Sequence, residues 1–122
     1  DVYDAVERAQ LGERAILHCW TGGRRWTKRF RELGVTFSFA GPLTYPTGET
    51  LRLAASEAPP ERTMVETDSP YLTPEPLRSE ANEPANVVLT GTALADVWGV
   101  SVEEVAASTT TTAERVLGVP RG

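Results

Sequence analysis

Two short stretches hold most of the residues in this chain that could do chemistry. In VETDSPYL, residues 65–72, an apolar run leads into Glu66 and Asp68, and a proline-rich loop follows. In LHCW, residues 17–20, the only histidine, His18, stands beside the only cysteine, Cys19. Side chains alternate along a strand, so Glu66 and Asp68 would share one face while Val65 and Thr67 take the other. Two carboxylates in a confined, poorly hydrated space are costly unless a cation or dense hydrogen bonding offsets the loss of water. A neutral imidazole paired with a carboxylate suits zinc, manganese or iron, whereas magnesium favours oxygen ligands. His18 and Asp68 are therefore candidate metal ligands, with Asp68 also the candidate catalytic acid. Two ligands make a poor site, however, and the chain has no second histidine to add. The plainer alternatives are a turn-forming acid at a strand end and a hydrogen-bonded histidine under a loop.

Other chemistries fit less well. Ser38 or Ser69 could be drawn towards His18 as a hydrolytic triad, but no G-x-S-x-G elbow is present. Cys19 and His18 are strand neighbours that point to opposite faces, so they form no dyad, and Cys19 reads as a small buried apolar residue. TGGRRWTKRFR, residues 21–31, joins a glycine turn to a helix start whose free amides could hold an anion, with Arg24 and Arg25 adding charge for a phosphate. Lys28, the only lysine, would add a point charge one turn on. The competing reading is a solvated helix face with Trp26 and Phe30 in the core. Arg78, in the loop after Asp68, is open to the same two readings.

The elements that must position these residues follow from hydrophobic spacing. Val2, Ala5, Val6 and Ala9 predict a helix over residues 1–11, ended by Gly12. RAILHCW predicts a buried strand, residues 24–33 a helix stopped by Gly34, and GVTFSFAGP a second strand. Residues 47–59 predict a helix opened by a Thr47 cap and closed by Pro59 and Pro60. RTMVETD is the third strand, followed by a loop with four prolines. Helices over 84–98 and 101–117 finish the chain, the second opened by a capping box of Ser101 and Glu104 and ended by Gly118. Strands separated by helical crossovers imply a parallel sheet covered by helices, with chemistry gathered at the carboxyl ends of the strands. That edge would carry His18, the AGP turn at 40–42 and Asp68.

Composition sets the outer bounds. At 122 residues, 40% hydrophobic and 24% charged, the chain fits one soluble globular domain spanning 1–122. A net charge of −5 argues against a protein that coats nucleic acid generally, because counterion release needs many cationic contacts. The charge is uneven: residues 1–62 carry nine basic and eight acidic groups, residues 63–122 three and nine. One cysteine allows no internal disulfide, no apolar run reaches the length of a membrane span, and the start is not signal-like, so the cytoplasm is the expected compartment. The opening at Asp1, inside an amphipathic pattern, reads as a piece of something longer, although a processed or trimmed chain would look the same.

Five motifs in order, LHCWTG, VTFSFAGPLT, VETDSPYLTP, NEPANV and GVSVEEVAASTTTTAERVLG, resemble the carboxyl-terminal half of TatD-like deoxyribonucleases, metal-dependent hydrolases on a TIM-barrel scaffold. The resemblance implies an α/β fold, half of a (β/α) barrel with about three parallel strands and covering helices. It implies phosphodiester hydrolysis with a divalent metal (Mg, Mn or Zn) and DNA or another phosphodiester as substrate. His18 and Asp68 would be ligands, Asp68 would also orient the attacking water, Glu66 would support them from behind, and Arg78 and Arg24 would contact phosphate. The family's H-x-H pair, bridging glutamate and one further histidine would all precede Asp1. RSEANEP lacks the family's glycine and a basic group, and Thr112 stands where an asparagine is usual. On this reading the chain alone has little activity and needs an amino-terminal half. The alternatives are a non-catalytic remnant or assembly partner that self-associates through the open half-barrel face, and a related metal hydrolase acting on a non-nucleic ester or amide.

Overall fold

The computed structural model describes residues 2–8, 10, 12–18, 20–67, 74–77, 81 and 86–118. The expectations placed on Cys19, Asp68, Ser69 and Arg78 lie outside the described residues. Three parallel strands, β1 (Ile16–Leu17), β2 (Thr36–Phe39) and β3 (Thr63–Val65), form one sheet in the order β1-β2-β3. The register pairs Leu17 with Phe37, Ser38 with Met64 and Phe39 with Val65. The regular strands are shorter than the apolar runs that predicted them. Backbone bonding nevertheless continues past their ends, from Trp20 N to Ser38 O at 2.8 Å and from Glu66 N to Phe39 O at 2.9 Å.

Among the described residues the sheet is accompanied by α1 (Val2–Arg8), α2 (Arg24–Glu32), α3 (Glu49–Ala55), α4 (Val87–Trp98) and α5 (Val102–Leu117). Alternation along β2 splits its two faces. Val35, Phe37 and Phe39 are fully buried and join Phe30 of α2, Leu51 and Ala55 of α3, Leu94 of α4 and Val105 of α5 in one core. Thr36 and Ser38, on the opposite face, are buried too. A strand covered on both sides reads as a continuous apolar run only where both faces meet apolar groups, and here one face is lined by hydroxyls.

Several boundaries differ from the expected ones. α1 stops at Arg8, and Gln10 at a φ of 55° turns the chain before Gly12 is reached, so Gly12 opens a short 3-10 turn instead of closing the helix. α3 starts after Gly48 with no side-chain cap, so Thr47 does not cap it, and its regular part ends at Ala55, well before the prolines. The expected capping box of α5 is present, with Ser101 Oγ accepting from the Glu104 backbone N–H at 3.1 Å. Gly34 takes a φ of 81° just past α2, which is why a glycine stops that helix. Among the described residues no helix is long and apolar enough to cross a membrane.

Phe37 is a fully buried large side chain at the middle of the central strand. Phe37→Ala is expected to lower unfolding stability by about 3–5 kcal/mol, measured as a lower urea midpoint with an unchanged slope. A loss below about 1 kcal/mol would show that Phe37 is not central to the core.

Candidate metal centre

The carboxyl ends of the strands position the site. His18 directly follows β1 and Glu66 directly follows β3. With Leu17 level with Phe37, His18 stands level with Ser38, and Ser38 is level with Met64. Alternation then puts His18, Ser38, Met64 and Glu66 on the face that turns away from Phe37 and Phe39. β1 and β3 are separated by β2, so their backbones lie about 10 Å apart. The His18 and Glu66 side chains close that gap, with Nε2 at 2.7 Å from Oε1. The short side chain of Ser38 on the strand between them is compatible with this crossing.

The two partners sit in unequal environments. The imidazole is 73% exposed and the Glu66 side chain 16%. Oε1 itself is shielded from solvent, and the ring nitrogen lies 2.7 Å from it. A ring nitrogen and a carboxylate oxygen crowded together at strand ends form the donor chemistry of a divalent-cation site. Among the described residues no three His, Cys, Asp or Glu side chains converge, so His18 would be one ligand of a larger set, with Glu66 supporting its ring. The residues present fit such an ion as part of its coordination shell.

The turn after β1 is held from α2. Trp20 Nε1 donates to Thr27 Oγ1 at 2.8 Å, and Thr27 Oγ1 donates to Gly23 O at 3.0 Å. The Trp20 indole occupies the space where a Cβ on Gly22 would fall, 2.1 Å from its ring, so the TGG turn needs a glycine there for lack of room. Trp20 also packs edge-on against Phe30 at 5.4 Å between centroids, which ties the segment carrying His18 into the core. Trp26 is half-exposed but lies against Tyr3 and Phe30, with the Arg29 guanidinium 4.8 Å from its ring centre. That is the packing reading of these aromatics.

Arg24, a candidate phosphate contact, is engaged elsewhere. Its Nε lies 2.9 Å from Glu57 Oε1, while Arg31 Nη1 lies 3.4 Å from Oε2 and Lys28 Nζ 3.9 Å from Oε1. Three cations of α2 thus converge on one acid in the turn after α3 and clip the two helices together. The hydrogen bond from Arg24 is the main cause that holds the Glu57 carboxyl below its ordinary value of 4.5; partial burial opposes it, and the charges of Lys28, Arg24 and Arg31 add to it. No local pattern in the sequence announces this cluster, because its members are 26 to 33 residues apart.

A family model described as "TatD related DNase" matches residues 1–118. The chain belongs to that family. It is similar to the uncharacterized metal-dependent hydrolase YcfH of Escherichia coli K12, 44% identical over 95 residues, which covers 78% of this chain and 36% of the relative. The uncharacterized metal-dependent hydrolase TatD of Mycobacterium tuberculosis is 37% identical over 119 residues, 98% of this chain and 45% of that protein. In structure the chain resembles the TatD homolog YJJV of Escherichia coli, with a TM-score of 0.86 at 21% identity over 97% of this chain and 46% of that one. A TatD family hydrolase of Entamoeba histolytica gives 0.74 at 17% identity. The fold is therefore the partial TIM-type barrel that the motifs implied, and the chain spans less than half the length of these relatives.

Glu57 yields a pH test. Its carboxyl is depressed in the folded state, so its contribution is complete above the unfolded value and is lost as pH falls through the lower folded value. The stability gap between the parent chain and Glu57→Gln is expected to be constant above pH 4.5 and to shrink below it, followed by urea unfolding across pH. The cations are 44–57% exposed, so the gap is small and falls further in high salt. A gap that widens on acidification would contradict the clip.

Proposed function

We propose that this chain contributes one wall of the active site of a metal-dependent phosphodiester hydrolase that acts on DNA. The observation that carries the reading is the 2.7 Å approach of His18 to Glu66 at the carboxyl edge of a parallel sheet, together with membership of the family. That edge is where (β/α) barrels place their chemistry.

In this reading the His18 imidazole offers a ring nitrogen to a divalent ion (Mg, Mn or Zn), and Glu66 fixes the ring from the shielded side. Asp68, two residues beyond Glu66, is a further ligand and holds the water that attacks phosphorus. The ion when bound supplies Lewis-acid chemistry to the scissile phosphate. Arg78 is the better candidate for a phosphate contact, because Arg24 would first have to leave Glu57. The remaining ligands come from a preceding segment, so the chain alone is weakly active or inactive. Action in the cytoplasm completes the proposal.

A second reading, a chain that works by assembly, has one observation in its favour. β1 is an edge strand of two residues, with Ile16 37% exposed and His18 beside it open to solvent. Such an edge can accept another strand. Sedimentation separates the two readings: a metal-independent dimer without nuclease activity supports assembly.

Calorimetry with Mn or Zn is expected to show binding by this chain weaker than micromolar, weakened further by His18→Ala and by Asp68→Ala. Submicromolar binding that Asp68→Ala abolishes would contradict an incomplete site, and binding indifferent to both substitutions would remove the site altogether.

A further inference from the structure

The opposite end of the sheet carries a cavity that the proposed chemistry does not use. About 720 Å³ in volume, it is bounded by Ile16 and Thr36, which open β1 and β2, and by Arg14, Glu61, Arg62 and Arg115. Arg62 precedes β3 and Glu66 follows it, so the cavity lies about 13 Å along the strand from the candidate metal centre.

Three guanidiniums and one carboxylate line this space, a formal +2 (three less one) in a chain of net charge −5. Their held positions come from uncharged partners. Arg62 Nη1 donates to Gly34 O at 2.6 Å, and Arg115 Nη2 donates to Glu61 O. A backbone carbonyl anchors a guanidinium without cancelling its charge, and each of the two retains further N–H donors. Arg14 is exposed at the mouth. This differs from the Glu57 cluster, where three cations already surround an acid.

We infer that this cavity at the amino-terminal end of the sheet is a binding site for a small phosphate monoester. Planar guanidinium forks match phosphate oxygens in pairs. A monoester carries a charge of about −1.5 to −2 at neutral pH, close to the local excess, whereas a carboxylate carries half of that. The volume lies in the range of small-molecule sites. The site is separate from the hydrolytic edge and does not depend on it.

The test uses inorganic phosphate as the probe, titrated into the whole chain at low salt with EDTA present, which removes metal-held phosphate as a source of signal. Calorimetry gives the affinity, and amide NMR shifts locate it. Shifts are expected at residues 34–36, 61–63 and 114–116. Arg115→Gln and Arg14→Gln, both at exposed positions, should each weaken binding about tenfold with an unchanged amide spectrum elsewhere. Arg115→Lys should recover part of the loss, because the charge returns without the fork. Succinate, a dianion of the wrong geometry, should bind less well. No saturable binding, affinity unchanged from the parent chain in both glutamine variants, succinate as good as phosphate, or shifts centred on residues 18 and 66 would each overturn the assignment.

Discussion

The central strand is the constraint on which the candidate site depends. β2 pairs in parallel on both sides, Leu17 against Phe37 and Phe39 against Val65, and this double register is what brings His18 and Glu66 to one edge and one face. A slip of one residue in either pairing would turn one of them into the helix-packed core. The register is fixed because Phe37 and Phe39 are wholly buried on the other face. Core packing on one side of the sheet thus sets the chemistry on the other, and a shielded carboxylate can be held beside an imidazole because the apolar face leaves no alternative alignment.

The surrounding structure preserves that register by tying loops to helices. Trp20 and Thr27 hold the turn behind His18 on α2. The cations of α2 grip Glu57 beyond α3, and Trp98 of α4 donates to Ala55 O at 3.0 Å at the end of the same helix. The far end of the sheet is fastened differently, with arginines on backbone carbonyls, which leaves positive charge facing a cavity. The two ends of one short sheet therefore differ in electrostatic character, acid and imidazole at one and an excess of guanidinium over carboxylate at the other.

Much of this was legible from the chain. The apolar runs around 16–17, 36–39 and 63–65 marked the strands, and S-V-E-E marked the start of α5, because these signals are local. Strand alternation predicts that Glu66 shares a face with Asp68, which lies outside the described residues. The direct contact of Glu66 with His18 could not be read that way, since it depends on which strands are neighbours and how they are aligned across nearly 50 residues. The Glu57 cluster was illegible for the same reason: a phosphate contact and a solvated helix face are the two readings open to Arg24 when its partner lies 33 residues away. Gly12 and Thr47 misled as local signals: a tight turn at Gln10 ends α1 first, and the backbone at Gly48 starts α3 without a side-chain cap.

If His18 and Glu66 form one wall of a divalent-metal site, an ion at that edge must perturb both at once. The most direct measurement is paramagnetic broadening by substoichiometric Mn²⁺ in an amide and imidazole NMR spectrum of this chain. The His18 ring and the Glu66 and Thr67 amides are expected to broaden first, while the acidic start of α5 at Glu103 and Glu104 stays sharp. Broadening that begins at those exposed acids and leaves the His18 ring untouched would contradict the site.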